Sequence, residues 1–306
     1  MRVLLFGQSL PYSMRVLQKL AGRVTIAGIV EAVAAARPAA SPLVALAKGA
    51  LDRPDLRVQA RALAVPHLFF TRGQVPGLLA FLRETGAEAG CIASFPCLLS
   101  SEIIGALPRG ILNLHPSLLP AYRGAMPVLW QFYRQETMGG VTVHFIDPGE
   151  DTGDIVAQEP VPILLDQSGA AYMDACANRG GDLLARALEE LAAGSLQRRP
   201  QRDLPCPFRA RSLKRGEVLL DFRSLPIGQT FRALQGGYNI LEQLLPPPAG
   251  LLRHCDLAPS RWDRTPPGIA PGQYGWALAS PFLAHAEGRI FLRARPSRRR
   301  LLNAIA

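Results

Sequence analysis

The sequence has no long apolar run. No stretch approaches the ~20 consecutive apolar residues that a membrane-spanning helix needs. The hydrophobic share of 48% and the charged share of 19% are typical of a folded globular chain. The first apolar run, MRVLLFG, is interrupted at Gly7 and Pro11 and carries no signal-peptide cleavage pattern, so it is predicted to be a strand. We therefore expect a cytoplasmic protein with no membrane segment.

Cysteines are few, and two common nucleotide-binding motifs are missing. The five cysteines form no CxxC pair and show no zinc-ligand spacing, which argues against a disulfide framework or a zinc site and predicts buried or half-buried thiols. The segment 7–13, GQSLPYS, stands where a dinucleotide-binding fold places GxGxxG, but it lacks the second and third glycines. No GxxxxGK[ST] occurs either. Neither a nicotinamide enzyme nor an ATP-dependent one is indicated.

Lysine is nearly absent, so arginine carries the positive charge. Lysine occurs only as Lys19, Lys48 and Lys214, although the formal net charge is +10 and the pI is near 9.9. This balance suits a polyanionic partner such as RNA or a phosphorylated substrate. Because arginine bias also follows genome composition, the charge alone identifies no partner.

The first two hundred residues alternate apolar runs with segments of helical spacing, which predicts a parallel sheet covered by helices. The predicted strands are residues 2–6, 24–30, 66–70, 89–95, 111–115, 141–146 and 155–161. The predicted helices are residues 13–21, 42–50, 75–85, 100–106, 126–136 and 168–193.

Composition changes after residue 194. The segment 195–208 is rich in proline and arginine and has no apolar period, so it is predicted to be a linker between a catalytic domain, 1–194, and a smaller domain, 209–306. In the second domain we expect a strand at 217–222, a helix at 226–234 and, after Gly268, several short strands. The expected architecture is a Rossmann-like α/β domain followed by a small, mostly β domain resembling an OB barrel.

Two polar side chains end the fifth predicted strand, in the stretch ILNLHPSLLPAYRG (111–124). Residues two apart in a strand share a face, so Asn113 and His115 point the same way. In open α/β sheets, ligands bind at the carboxyl ends of the strands. Asn113 and His115 are therefore candidate site residues.

A second polar stretch, VHFIDPGEDTGDIV (143–156), holds an acidic loop between two strands. We expect one of its carboxylates to lie beside His115, to orient the ring and to raise its pKa. An asparagine amide can donate to an oxygen that becomes negative when a carbonyl is attacked. Without a serine or cysteine nucleophile, these groups indicate acyl transfer to a nucleophile that the substrate supplies.

Other interpretations of the same residues stay open at this point. A lone Asn-x-His at a strand end is often a satisfied capping pair. His115, His144 and Asp151 could also form a metal site, although no HExxH motif supports one.

The paired stretches NLHPSLLPAYRG and EDTGD resemble the signature of the folate-dependent formyltransferase family. That family includes methionyl-tRNA, glycinamide ribonucleotide, amino-sugar and amino-acid formyltransferases. In addition, GEVLLDF (216–222) and FRAL (231–234) resemble the opening of the barrel-like C-terminal domain of the tRNA enzymes.

The resemblance implies that Asn113, His115 and Asp151 are catalytic and that 10-formyltetrahydrofolate donates the formyl group, without a metal. Asn113 and His115 would stabilise the oxyanion, and Asp151 would orient His115 and assist proton transfer from the attacking amine. It also implies a pterin pocket formed largely by main chain, at Phe95, Cys97, Leu99, Asp147 and Glu150.

The acceptor follows less directly from the resemblance. The tRNA enzymes carry a basic, glycine-rich insertion after the second strand, whereas Arg37 and Lys48 are the only cations of residues 31–49 here. We therefore predict N-formylation of a small amine, such as an amino sugar or an amino acid derivative. Initiator methionyl-tRNA is the alternative, and a 10-formyltetrahydrofolate hydrolase or a non-catalytic RNA-binding module is less favoured. The sequence predicts no oligomeric state.

Overall fold

The computed structural model describes residues 1–33, 55–201 and 203–297. The chain divides into two compact units. Unit 1 comprises Met1–Pro127, Met138–Pro162 and Met173–Ala210, and unit 2 comprises Val128–Thr137, Ile163–Tyr172 and Arg211–Ala306. Unit 2 thus takes two segments from the first two hundred residues. The domain boundaries at 194 and 209 stay a prediction.

Unit 1 contains a seven-stranded sheet in the order β3-β2-β1-β4-β5-β6-β7. Its strands are β1 (Arg2–Gly7), β2 (Thr25–Ala32), β3 (His67–Phe70), β4 (Ala89–Ala93), β5 (Ile111–His115), β6 (Met138–Phe145) and β7 (Ile155–Pro162). Strands β1 to β5 pair in parallel, which confirms the Rossmann-like α/β class. Strands β6 and β7 are antiparallel, which corrects the expectation of a wholly parallel sheet. The loop between β6 and β7 is too short for the crossover that a parallel connection requires.

The described helices of the first two hundred residues are α1 (Pro11–Leu20), α2 (Leu56–Ala62), α3 (Val75–Thr85), α4 (Ser101–Gly105), α5 (Pro127–Tyr133) and α6 (Gly169–Ala193). Helix α3 has the predicted bounds, because a proline opens its first turn and Gly86 ends it in a left-handed conformation. Helix α2 was not predicted, although the Asp55 carboxylate caps it by accepting from two backbone amides. The predicted helix at 42–50 lies outside the described residues.

An apolar core lies beneath the carboxyl edge of the sheet in unit 1. It contains Leu4 and Phe6 of β1 and Ile92 of β4, and the partly buried Phe95 packs against it. Phe95 contacts Phe6 edge-on at 5.6 Å and stacks on Phe70 at 5.8 Å. Burial of aromatic rings at this edge anchors the loop that follows β4.

Unit 2 contains a four-stranded antiparallel sheet in the order β8-β11-β10-β9, which confirms the small β domain. Its strands are β8 (Cys255–Asp263), β9 (Tyr274–Ala277), β10 (Ser280–His285) and β11 (Gly288–Pro296), and the helices are α7 (Ile227–Gly236), α8 (Leu241–Leu244) and a 3-10 turn at Gly250–His254. The predicted strand at 217–222 is wrong: this segment pairs with no strand among the described residues. A turn precedes it instead, in which the Glu217 carboxylate accepts from Arg211 and from the Lys214 amide.

Two further sequence predictions concern cysteines and membranes. Cys91 and Cys176 are buried and the other three thiols are half-buried, as predicted. Burial raises the pKa of the Cys91 thiol to about 12, so this thiol is unreactive. No helix in the described parts of the chain is long and apolar enough to cross a membrane.

Candidate active site

The end of β5 carries two of the predicted site residues. Asn113 pairs in register with His144 of the antiparallel strand β6, and His115 pairs with Thr142. Directly opposed residues of two strands present their side chains on the same face. His144 therefore lies beside Asn113 because the sheet register puts it there.

Asp151 joins this group from the loop between β6 and β7. Its Oδ1 accepts from Asn113 Nδ2 at 3.4 Å, and its Oδ2 lies 3.5 Å from His115 Nδ1. Its backbone is left-handed, with φ of 54°, a conformation that costs free energy for any residue other than glycine. The structure thus brings together the three residues expected to be catalytic.

The backbone of the 120s loop holds the carboxylate and the imidazole. The Gly124 amide donates to Asp151 Oδ2 at 2.9 Å, and the Tyr122 carbonyl lies 2.9 Å from His115 Nε2. Because a carbonyl oxygen can only accept, Nε2 carries a hydrogen. A proton gained or lost by the ring is therefore exchanged at Nδ1, which faces Asp151.

Burial determines the charge of His115. Desolvation of the buried ring lowers its pKa by more than the Asp151 carboxylate raises it, so the net shift is downward. The sequence-based expectation of a raised pKa is wrong, because it counted the carboxylate and omitted the low polarity of the surroundings. The neutral imidazole is accordingly favoured near neutral pH.

The carboxyl of Asp151 shows the opposite balance. Burial alone would raise its pKa, but the neighbouring imidazoles of His115 and His144 and the hydrogen bond from Gly124 outweigh burial and hold this pKa well below its usual range. Asp151 is therefore ionised throughout the neutral range.

His144 belongs to the same cluster. Its Nδ1 donates to the Phe145 carbonyl at 2.8 Å, and its Nε2 accepts from Asn113 Nδ2 at 3.0 Å. Both amide hydrogens of Asn113 are thus directed into the cluster, one towards His144 and one, over a longer distance, towards Asp151. The alternation of side chains along β6 assigns His144 to one face of the sheet. Only the antiparallel register shows that it lies opposite Asn113.

The three residues after β4 that are expected to line a folate pocket have side chains packed on the core. Leu99 is buried within the apolar cluster, while Phe95 and Cys97 are partly buried against it. Ile146, at the start of the acidic loop, packs against the same cluster, so the two loops share one apolar floor.

The two acidic pocket residues have partners within the protein. Asp147 Oδ1 accepts from the Gly149 amide at 3.1 Å and from Thr152 Oγ1 at 2.7 Å, while Glu150 forms an ion pair with Arg209. Their carboxylates shape the loop that carries Asp151. Among the described residues, no three His, Cys, Asp or Glu side chains are arranged to hold a metal ion.

Comparisons with known proteins agree with this geometry. A model of the formyl transferase family matches residues 66–188. A methionyl-tRNA formyltransferase of Synechococcus sp. (strain JA-3-3Ab) is 31% identical over 260 residues, which cover 78% of this chain and 75% of that protein. Another, of Syntrophus aciditrophicus, is 37% identical over 153 residues, which cover 50% of this chain and only 49% of that protein.

A solved structure shares the fold over nearly the full length. It is an N-formyltransferase from Helicobacter canadensis in complex with folinic acid and dTDP-3-aminofucose, with a TM-score of 0.62, 12% identity and coverage of 95% of this chain and 98% of that one. At this identity the likeness concerns the fold. The Synechococcus relative, together with the family model, leads to one conclusion: the chain belongs to the formyl transferase family.

Proposed function

We propose that this protein is an N-formyltransferase that moves the formyl group of 10-formyltetrahydrofolate to a primary amine. The observation that carries the proposal is the cluster of Asn113, His115 and Asp151 at the carboxyl end of β5. The cluster offers an amide, a neutral imidazole and an ionised carboxylate, and no serine or cysteine joins these contacts. This set suits acyl transfer in which the amine of the acceptor is the nucleophile.

Each side chain has a role that follows from its contacts. An amine loses a proton when it becomes an amide, and the folate nitrogen gains one when the formyl group leaves it. His115 Nδ1 is the ring atom free to take the first proton and return it to that nitrogen, while Asp151 stabilises the imidazolium that forms between the two transfers. Asn113 Nδ2 can exchange its long bond to Asp151 for a bond to the formyl oxygen, while His144 keeps the other hydrogen in place. When bound, 10-formyltetrahydrofolate supplies the formyl group itself.

The residues around the shared apolar floor fit a flat aromatic ligand with polar edges. Phe95 and Leu99 supply apolar surface below the loop after β4, and the main chain of both loops supplies donors and acceptors. Asp147 and Glu150 act by fixing the shape of the second loop. We propose that these residues hold the folate of a cytoplasmic enzyme.

For the acceptor we propose a small amine, such as that of an amino sugar or an amino acid derivative. The supporting observation is in the sequence, where the segment 31–49 carries only Arg37 and Lys48 as cations. A phosphate-rich acceptor is held mainly by Lys and Arg, and this segment provides few.

Initiator methionyl-tRNA is the second candidate, favoured by a different observation. Arg198 lies over the Phe145 ring at 3.6 Å, and Arg199 donates to the neutral side chain of Gln158. Neither contact neutralises a guanidinium, so both charges can bind phosphate. The curated relatives named above are also methionyl-tRNA formyltransferases.

The test is an assay of tetrahydrofolate release from 10-formyltetrahydrofolate, with a panel of amino sugars and amino acids in parallel with charged initiator methionyl-tRNA. Release that depends on a small amine supports the proposal, and release with the tRNA alone supports the second candidate. Release without any amine would identify a hydrolase. Absence of release under every condition would contradict formyl transfer.

A further inference from the structure

One side chain of the predicted linker is completely buried. Gln201 is 0% exposed, whereas the neighbouring residues 197–200 and 203–205 are exposed. A buried amide must satisfy two donors and an acceptor within the protein or lose free energy. The partners of Gln201 therefore show what the linker does.

The amide nitrogen of Gln201 holds the loop that carries the catalytic carboxylate. Gln201 Nε2 donates to the Asp151 carbonyl at 3.1 Å and to the Gly153 carbonyl at 2.5 Å. These bonds hold the backbone directly after the left-handed Asp151, whose conformation needs support from its surroundings to persist. The two bonds thus fix the direction in which the Asp151 carboxylate points.

The amide oxygen of Gln201 holds the second loop. It accepts from the buried Arg123 at Nε, 3.2 Å, and at Nη2, 2.8 Å, and the Gln201 backbone carbonyl accepts from Nη2 at 2.9 Å. Arg123 stands between Tyr122, whose carbonyl bonds to His115, and Gly124, whose amide bonds to Asp151. One glutamine therefore connects the backbone holding His115 to the backbone holding Asp151.

The rest of the segment is fastened to the same two loops by backbone pairing. Arg199 exchanges two hydrogen bonds with Ile155, at 2.9 and 2.8 Å, just after the Asp151 loop. Downstream, the Phe208 carbonyl accepts from the Tyr122 amide at 2.6 Å, and the Ala210 amide donates to the Arg123 carbonyl at 2.8 Å. Gln201 is held at both ends, so its side chain is placed with little freedom.

We propose that Gln201 is a positioning residue for catalysis, which sets the distance between the Asp151 carboxylate and Nδ1 of His115 through the Asp151 backbone and Arg123. This role rests on the proposed formyl transfer, and it means that the predicted linker takes part in catalysis through Gln201. Displacement of a catalytic group by about 1 Å costs on the order of 10²-fold in rate.

Gln201→Glu is the first test variant. It keeps the shape of the side chain and both acceptors for Arg123, but it removes the two donated bonds and puts a carboxylate oxygen against two carbonyl oxygens. We expect kcat for tetrahydrofolate release to fall at least about 10-fold, while the KM for 10-formyltetrahydrofolate stays within about twofold. Gln197→Glu is the matched control, because Gln197 lies in the same segment and, within the described ranges of the chain, its side chain bonds only to the Ser195 carbonyl at 3.4 Å; its kcat should not change.

Gln201→Met supplies a readout that does not depend on activity. It is neutral, so it adds no charge near His115, and the titration of the His115 ring can be followed by NMR in labelled protein. We expect a lower titration midpoint than in the wild type, because a displaced carboxylate raises the pKa of His115 less.

The outcomes separate the two proposals. If wild-type protein releases no tetrahydrofolate, formyl transfer fails, yet a shifted His115 titration still supports positioning by Gln201. A kcat within twofold of wild type for both folded variants, together with an unchanged titration, would overturn the role of Gln201. Failure of both variants to fold, seen by circular dichroism, would also overturn it, because Gln201 would then support the fold and not the carboxylate.

Discussion

The Nδ2 atom of Asn113 lies 3.0 Å from Nε2 of His144, across the antiparallel pair of β5 and β6. Since Nδ1 of His144 donates to the Phe145 carbonyl, Nε2 of the neutral ring is an acceptor and binds the nitrogen side of the amide. This contact and the longer bond from Nδ2 to Asp151 Oδ1 decide which end of the Asn113 amide carries the nitrogen.

His144→Ala removes this restraint. The Asn113 amide would then rotate more freely, and its N–H donor would spend less time facing the formyl oxygen. Because the donor is still present on the protein, we expect kcat to fall only about 10-fold. His144→Gln, which offers an acceptor at a similar reach, should retain more activity than His144→Ala. Complete loss of activity in a folded His144→Ala protein would show that His144 itself takes part in the proton transfer.

Asp151→Ala should have the larger effect. We expect kcat to fall by a factor on the order of 10² or more, while the affinity for 10-formyltetrahydrofolate stays nearly intact. Asp154→Ala, three residues along the same loop, serves as the control and should leave kcat unchanged. Near-normal turnover of Asp151→Ala would remove Asp151 from the site.

The rate should depend on pH through His115. The neutral ring accepts the proton, and its pKa is lowered by burial, so kcat/KM should fall only below pH 6.5, the ordinary value for histidine. In Asp151→Asn the charge that raises this pKa is gone, and the acid limb should move to still lower pH. Profiles measured between pH 4.5 and 8 decide this, and a limb above pH 6.5 in the wild type would contradict it.

Two helical glycines predict different stabilities for their alanine variants. A Cβ at Gly180 of α6 would lie 2.6 Å from Cδ1 of the buried Leu114, whereas a Cβ at Gly77 of α3 would meet no described atom within 4 Å. Gly180→Ala should lower the free energy of unfolding by about 1–3 kcal/mol, as overpacking does. Gly77→Ala should cause no loss, because the added methyl group has space and alanine favours a helix by up to about 1 kcal/mol. Urea denaturation compares the two, and equal stabilities would contradict the packing argument.

Unit 2 should lose stability in mild acid because of His285. The ring is buried, its Nδ1 accepts from the Glu287 amide at 3.1 Å, and burial lowers its pKa. The unfolded chain takes up a proton as pH falls below 6.5 while the folded chain resists it, so stability is full above pH 6.5 and declines below it.

Tryptophan fluorescence reports this decline selectively, because Trp130, Trp262 and Trp276 all lie in unit 2. The fluorescence unfolding midpoint in urea should fall between pH 7.5 and pH 5.5. In His285→Asn, where the amide oxygen can replace Nδ1 as acceptor, it should fall less. The same decline in wild type and variant would exclude His285 as the cause.

Local signals in the sequence were sufficient for some elements. The bounds of β5 follow from Gly110, with φ of 78°, and from Pro116, because each interrupts the extended backbone on its side. The position of Asn113 and His115 on one face follows from alternation alone.

Tertiary partners decided what the sequence could not show. The apolar run within residues 217–222 suits a strand, but in the described parts of the chain this segment pairs with no strand. The burial of Gln201 depends on Arg123, 78 positions away, and no local pattern indicates it. The pKa of His115 was predicted in the wrong direction for the same reason, since its desolvation comes from the assembled fold.

The antiparallel end of the sheet has a consequence for how such an enzyme can change. Asn113, His115 and His144 are spaced by strand register, so inserting or deleting one residue in β5 or β6 would turn a whole row of side chains to the other face. The opposite end of the sheet, β1 to β3, contributes none of these three side chains. Mutation can therefore remodel that end without displacing these side chains.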